Sequence, residues 1–344
     1  MKRQRDHVEI GALIALFAGA LSTGAAGILV RLSETGPTAT AFWRGCLALP
    51  LLAAWAWLEP ATGGRAPIEQ RSPGGNVARL FASFRDRGFL WAGVFFAGDL
   101  ALWNWSLLLT SVAASTLEAS LAPIVVIFFA WLRWGERPSA AFMGATALAF
   151  VGMLLIVSPK FGQGGSAFLG DVLGLGTACF FAAYILAVAR LRARYGAGVV
   201  MFNSTVIFTV LLLPLALTQK FFPHTLSGWA IVAGSALAAQ VLGQGLIAYA
   251  LAHLRPTFSS LGLLVQTLGA VVSAWLVLGE RLSVVQIAGA LVIVGGIALA
   301  RSARKPIVPE VTAMSGGAPM PDAAPTAMAE PAAAATQSLG VVRD

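Results

Sequence analysis

The sequence predicts an all-α polytopic membrane protein of ten transmembrane helices, arranged as two inverted five-helix repeats. Three observations predict it. The chain is a succession of apolar runs of about 20 residues, the length of helix that spans a bilayer's hydrocarbon core. Its basic residues crowd into alternate connections between those runs. Its second half repeats its first. Composition agrees, since the 344 residues are 58% hydrophobic and only 11% charged, where a soluble chain carries about a quarter charged residues.

Residues 1–9 read as a basic cytoplasmic N-terminus. The run from Ile10 to Val30 is too long for the apolar core of a secretory signal and has further spans behind it, so it reads as the first helix. The remaining spans fall at roughly 38–58, 89–109, 112–132, 139–157, 169–189, 198–217, 229–252, 257–277 and 283–301. None shows the alternating pattern of about ten residues that marks barrel strands, and only helices or closed barrels satisfy every backbone group in lipid. The connection 59–88 is the long one. It starts rich in Gly and Pro, and Val77 to Arg87 reads either as a short helix on the inner leaflet or as a solvated loop. The tail 306–344, rich in Pro and Ala, reads as disordered and cytoplasmic. Cys46 and Cys179 both fall inside apolar runs and are expected to be small buried apolar residues. Two lone thiols make neither a disulfide framework nor a zinc site.

The net charge of +8 does not indicate nucleic-acid binding, because the basic residues lie between apolar runs and not on one soluble face. The positive-inside rule applies instead. With the N-terminus inside, 18 of the 23 Lys and Arg are cytoplasmic, Arg31, Lys160, Lys220 and Arg281 are outside, and Arg44 lies within a span. That bias supports an even number of spans and an inner-membrane protein with both termini in the cytoplasm.

Displaced by 144 residues, the halves align without a gap from Leu102 against Leu246 onward, through Ser115 against Ser259 and Gly152 against Gly296. The strongest stretch sets Ala130–Ser139 (AWLRWGERPS) against Ala274–Ser283 (AWLVLGERLS). The first helices match at 159, Gly11 with Gly170 and Arg31 with Arg190. The loop 59–88, which has no counterpart, accounts for the difference. The repeats are thus 10–157 and 169–301. Five spans is an odd number, so the second copy enters the bilayer from the other side, an arrangement common in secondary transporters.

The paired signatures Trp131–Arg137 and Trp275–Arg281, with Asp99–Ser106, Thr110–Ser115 and Leu121–Pro123, resemble the drug/metabolite transporter superfamily of the type with two EamA domains. The resemblance covers about residues 10–301. It implies ten helices, cytoplasmic termini, a cavity lined mainly by helices 1–4 and 6–9, and transport of amino acids, amines or other metabolites, often outward. Glu118 departs from the pattern, where a neutral residue is expected.

Ionisable groups inside a bilayer are costly and face a partner or a watery cavity. Arg44 and Glu118 each lie six residues into a helix from the outer face, about 9 Å deep at the helical rise. They either pair statically or flank one vestibule. Asp99 sits mid-span with Trp103 one turn on, an aromatic wall beside a carboxylate. Tyr184, Asn203 (the repeat counterpart of Arg44), Gln240 and Gln244 four residues apart, and Gln266 complete the candidate substrate-binding set. Amides can line a cavity or tie helices together. Pro50, Pro123 and Pro214 are expected to interrupt their helices.

The sequence therefore predicts a secondary transporter, expected to export a small metabolite such as an amino acid or amine by alternating access. Asp99 or Glu118 could couple transport to protons. Neither a cofactor nor a metal site is expected. A membrane-embedded enzyme or a non-transporting scaffold is the alternative, but no HExxH motif and no phosphate-binding Gly-rich loop supports the former, and the latter expects a dry, closed interface.

Overall fold

The computed structural model describes residues 2–59, 86–109, 119–135, 138–158, 168–279 and 283–303. Among these no strand occurs, and the helices group into ten. The first, α1, comprises Lys2–Gly24 and Ala26–Leu32. Then follow α2 (Pro37–Leu58), α3 (Arg87–Leu109), α4 (Ala122–Trp134), α5 (Ala140–Val157), α6 (Phe168–Arg192) and α7 (Ala197–Ala216). The eighth, α8, runs Leu226–Ala250 in three pieces, the middle one (Ala236–Gln244) a π-helix. The ninth, α9, joins Pro256–Gly262 to Val265–Leu278, and α10 spans Val284–Ser302. Seven of the described helices are long and apolar enough to cross a membrane by length and composition, and Ala122–Leu132 and Ala140–Ile156 are shorter apolar helices. The amphipathic segment expected before Arg87, the Glu–Arg pairs of both signatures, Glu118 and the tail 306–344 lie outside the described residues.

The repeat signature is a stop-and-start signal. Gly135 and Gly279 end α4 and α9 in the left-handed region, φ 65° and 66°, where a side chain is strained and glycine is not. Four residues later Ser139 and Ser283 cap α5 and α10, accepting from the Phe142 and Gln286 amides. At α10 the Gln286 side chain accepts in turn from the Ser283 amide, closing a capping box.

Glycine contacts show the inversion directly. A Cβ on Gly152 would lie 2.7 Å from the Gly289 carbonyl oxygen, and one on Gly296 would lie 2.9 Å from that of Ala145. These are one contact seen twice, because Gly296 and Gly289 are the repeat counterparts of Gly152 and Ala145. As α5 advances, its neighbours on α10 recede, so the two helices run antiparallel. The same holds for α2 and α7, where Gly45 meets Phe208 and Gly198 meets Ala56. Other packing follows the same exchange: α3 lies on α6 as α8 lies on α1, and α3 on α7 as α8 on α2.

We call the face holding the N-terminus the near face and its opposite the far face. Reciprocal side-chain caps tie α2 to α7 at both. On the near face the Glu59 carboxylate, just past α2, accepts from the Ala197 and Gly198 amides at 2.7 and 2.9 Å. On the far face the Gln219 amide oxygen, just past α7, accepts from Thr38 and Ala39 at 2.9 and 3.4 Å. The offset of one residue has a cause: Pro37 opens α2 and has no N–H to give.

Three expectations are corrected. Pro50 and Pro214 lie inside continuous helices, and Pro123 sits in the first turn of α4, where its missing N–H is no loss. The interruptions fall elsewhere, at Ala25, within Ala236–Gln244 and at Leu263–Leu264. Cys179 is exposed on the helix bundle and not buried, and Cys46 is only half-buried.

Candidate functional site

Every one of those interruptions borders one cavity. Its volume is about 460 Å³, within the range of small-molecule pockets. Thr23, Gly24 and Ala26 line it at the break in α1, Ala119 and Ser120 before α4, Gln244 where the π-helix ends, and Leu263, Leu264 and Gln266 at the break in α9. Irregular backbone at membrane depth is tolerated where it lines a cavity and not where it meets lipid. The lining continues to Arg31, Pro37 and Gln286, at the far ends of α1, α2 and α10, so the cavity reaches the far face.

At its base lie Arg44 from α2 and Asp99 from α3, 6% and 8% exposed. The Arg44 guanidinium carbon stands 5.8 Å from the centre of the Phe96 ring, within cation–π range. Phe96 in turn stacks on Tyr184 with centroids 4.4 Å apart and meets Phe208 edge-on at 5.1 Å. The arginine thus rests on an aromatic floor fixed by α6 and α7. Its Nε and Nη2 are buried without a hydrogen-bond partner, and Asp99 is the carboxylate whose charge acts on it. Trp103, one turn beyond Asp99, is half-buried and lines the same wall. Gln244 and Gln266 also line the cavity, and the Gln244 Oε1 and Gln266 Nε2 atoms are buried and unpartnered.

The structure therefore brings together Arg44, Asp99, Trp103, Gln244 and Gln266. Tyr184, Asn203 and Gln240 lie outside the lining. Tyr184 backs Phe96, and its hydroxyl points at the Met201 sulfur, 3.8 Å away. Asn203 donates to the Val199 carbonyl within its own helix at 2.8 Å. Gln240 donates to the Thr205 hydroxyl at 2.9 Å and ties α8 to α7. Glu118 lies outside the described residues. Sequence reasoning missed Phe96, Phe181 and Thr267, all in the lining. An apolar or small residue in an apolar run carries no signal of facing a cavity, although Phe96 sits one helical turn before Asp99.

Among the described residues, contacts cross the near face where the cavity opens the far one. Arg192, the last residue of α6, donates from Nε to the Ala248 carbonyl of α8 at 2.9 Å and from Nη1 to the Tyr195 carbonyl. The Tyr195 hydroxyl donates to Asp86, whose other oxygen accepts from the Gly88 amide at the start of α3. Burial, then the Asp86 carboxylate, pushes the Tyr195 phenol above its ordinary pKa. On the far face Glu34 accepts from the Thr225 hydroxyl and from the His224 and Thr225 amides. The hydroxyl first and the His224 amide second hold its carboxyl below the usual range.

The chain matches the EamA-like transporter family twice, over residues 10–158 and 168–302. It belongs to the EamA-like transporter family. It is 28% identical over 214 residues to the pseudopaline exporter CntI of Pseudomonas aeruginosa strain UCBPP-PA14, a match covering 61% of this chain and 73% of the relative. The protein of the same name from strain PAO1 matches to the same extent. A solved crystal structure superposes with a TM-score of 0.61 over 88% of this chain and 99% of its own, at 18% identity, a likeness of fold alone. This EamA-like chain is a multi-pass membrane transporter of a small molecule, as its apolar helices and its family indicate.

Proposed function

We propose that this transporter exports a small amino-acid-like or amine metabolite across the inner membrane by alternating access, with both termini cytoplasmic. The observation that carries the reading is a largely apolar cavity holding the buried charges Arg44 and Asp99 at the junction of two inverted halves, reaching one face while contacts cross the other. Inverted repeats of this kind rock about a site near the bilayer midplane. The Lys and Arg bias makes the near face cytoplasmic, so the structure corresponds to an outward-facing state. Export, and not uptake, draws support from the relatives named as exporters. A scaffold would have a closed interface between its halves, and the 460 Å³ cavity speaks against that.

The chemistry available fits such a cargo. Arg44 can meet a carboxylate, Asp99 an amine, and Trp103 with Phe96 an apolar or aromatic body. Asp99, in the cavity, and Glu118, which the sequence puts within an apolar run, are the candidate carriers of a coupling proton. The test is counterflow and gradient-driven transport in proteoliposomes, with amino acids and amines as radiolabelled cargo. Accumulation should require an imposed proton gradient and should collapse in Asp99→Asn. Full gradient-driven transport in both Asp99→Asn and Glu118→Gln would refute the coupling. Absence of transport for every amino acid and amine would refute the cargo class.

A further inference from the structure

We propose that Ser22 is a positioning residue for transport: its hydroxyl, reaching from α1, holds the middle of α8 in π-helical form, and that form keeps Ala248 against Arg192 on the near face. The proposal rests on the alternating access proposed above and names an element that carries it.

The starting point is a difference between α8 and its repeat counterpart. Residues 236–244 wind as a π-helix, each carbonyl bonding the amide five residues on instead of four. Their counterparts at a displacement of 144, residues 92–100, lie within α3, one unbroken α-helix over Arg87–Leu109. The fold therefore accepts an α-helix at this place, and the second repeat winds it differently. Such stretches are rare and mostly a single turn, so one of nine residues needs contacts that hold it.

Those contacts come from α1. The Ser22 hydroxyl donates to the Ala238 carbonyl at 2.7 Å. A carbonyl has two lone pairs, so Ala238 accepts this bond beside the one from its own helix. The backbones interlock around it. A Cβ on Gly19 would lie 2.7 Å from the Gly243 carbonyl oxygen, and one on Gly243 would lie 2.9 Å from that of Ala238 and nearer still to the Thr23 hydroxyl. Ser22 itself is half-buried and does not line the cavity, although Thr23 and Gly24 do. It touches α8 and not the cargo.

The π-helical stretch stands between the cavity and the near face. Gln244 ends it and lines the cavity. Gly245–Ala250 follows, and there the Ala248 carbonyl accepts from Arg192 at 2.9 Å. One residue of winding is about 100° in a helix of 3.6 residues per turn. Returning one residue from π to α form thus turns everything beyond it by roughly that angle and carries the Ala248 carbonyl away from Arg192. With fewer residues in each turn, α8 also lengthens. The near face opens and α8 extends together, and the Ser22 bond opposes both.

The experiment measures distances between paired spin labels on the full-length protein in lipid nanodiscs, with Cys46→Ala and Cys179→Ser as background. One pair, Ala193→Cys with Ala252→Cys, spans the near face at exposed positions just past α6 and α8. The other, Leu226→Cys with Ala252→Cys, reads the length of α8. Ser22→Thr keeps the hydroxyl, and Ser22→Val has the shape of that variant without it. Ser22→Val should raise the population at longer distance in both pairs by about three- to tenfold, the scale of one lost hydrogen bond. Ser22→Thr should match wild type. Gly243→Ala crowds the π form against Thr23 and should move both pairs as Ser22→Val does. The two changes act from opposite sides of the interface, so either decides the matter if the other fails to fold.

Distributions identical to wild type in Ser22→Val and Gly243→Ala would overturn the proposal. So would a longer distance across the near face with α8 unchanged in length, because the face would then open without rewinding. If Arg192→Gln lengthened the near-face pair while both variants left it alone, alternating access would stand and the role of Ser22 would fall. One unchanged distance in every variant, Arg192→Gln included, would remove the alternating access itself and this proposal with it.

Discussion

Arg44 and Asp99 are the buried charges that line the cavity. Asp99→Asn removes the one described carboxylate at the base and keeps its shape, so transport should fall while the fold holds. Glu34 provides a contrast on the far face, outside the spans. Its hydrogen bonds to Thr225 and His224 favour the carboxylate and lower its pKa in the folded protein. The sign follows: this contribution to stability is present above the ordinary carboxylate pKa and is lost as pH falls through the depressed folded value. Thermal stability measured from pH 6 downward should therefore drop below the usual carboxylate range, and Glu34→Gln should make that drop shallower. Arg44, Asp99 and Trp103 were legible in the sequence because a charge in an apolar run demands an explanation and a helical turn places its neighbour. Tyr184, Asn203 and Gln240 stood at the right depth, but depth says nothing of which neighbour a side chain faces. That direction is set by helix packing, which turns Gln240 toward Thr205 and Gln244 toward the cavity, one turn apart.

The helices show where packing is tight enough to feel a single methyl group. Gly152 and Gly289 each face the other's carbonyl oxygen, at 2.7 and 2.6 Å from an added Cβ. Gly152→Leu or Gly289→Leu should force α5 and α10 apart and lower stability by about 1–3 kcal/mol, the usual cost of overpacking. Gly144 and Gly295 lie on the same two helices with nothing within 4 Å, so Gly144→Ala and Gly295→Ala should be neutral or mildly stabilising. Melting curves of the four variants in one detergent check both halves of the statement. The existence and order of the helices could be read from run length, and their inversion from an odd number of spans per repeat. The breaks at Ala25 and Leu263–Leu264 could not. No proline marks them, and prolines that looked disruptive, Pro50 and Pro214, sit in unbroken helices because neighbours and local adjustment absorb the lost bond. The caps of Glu59 and Gln219 were hidden too, since each joins helix ends from different repeats.

Across the whole molecule the repeats are alike in fold and unlike in contact, and the difference bears on the alternating access proposed above. Arg192 fastens α6 to α8 on the near face through the Ala248 carbonyl. The repeat counterparts of Arg192 and Ala248 are Ser33 and Asn104, on the far side of α1 and α3. Those helix ends do not close on each other. The cavity lies between them, lined by Ala26–Arg31 on one side and Phe96–Trp103 on the other, and the Asn104 amide nitrogen is buried without a partner. Under the alternating access proposed above, exchanging the two sets of contacts would produce the opposite state, with the far face closed near Ser33 and Asn104 and the near face opened at Arg192. Arg192→Gln should thus favour that state. A charged hydrogen bond is worth about 1.5–3 kcal/mol, so the equilibrium should move by about tenfold or more. Gly27 provides the reporter, because it lines the far half of the cavity and a Cβ there meets nothing within 4 Å. In a background of Cys46→Ala and Cys179→Ser, Gly27→Cys should react readily with an impermeant thiol reagent supplied from the far face. Adding Arg192→Gln should slow that reaction by a similar factor. An unchanged rate would mean that Arg192 holds the near face shut no more firmly than its neighbours do, and that the state open to the far face owes its stability to other contacts.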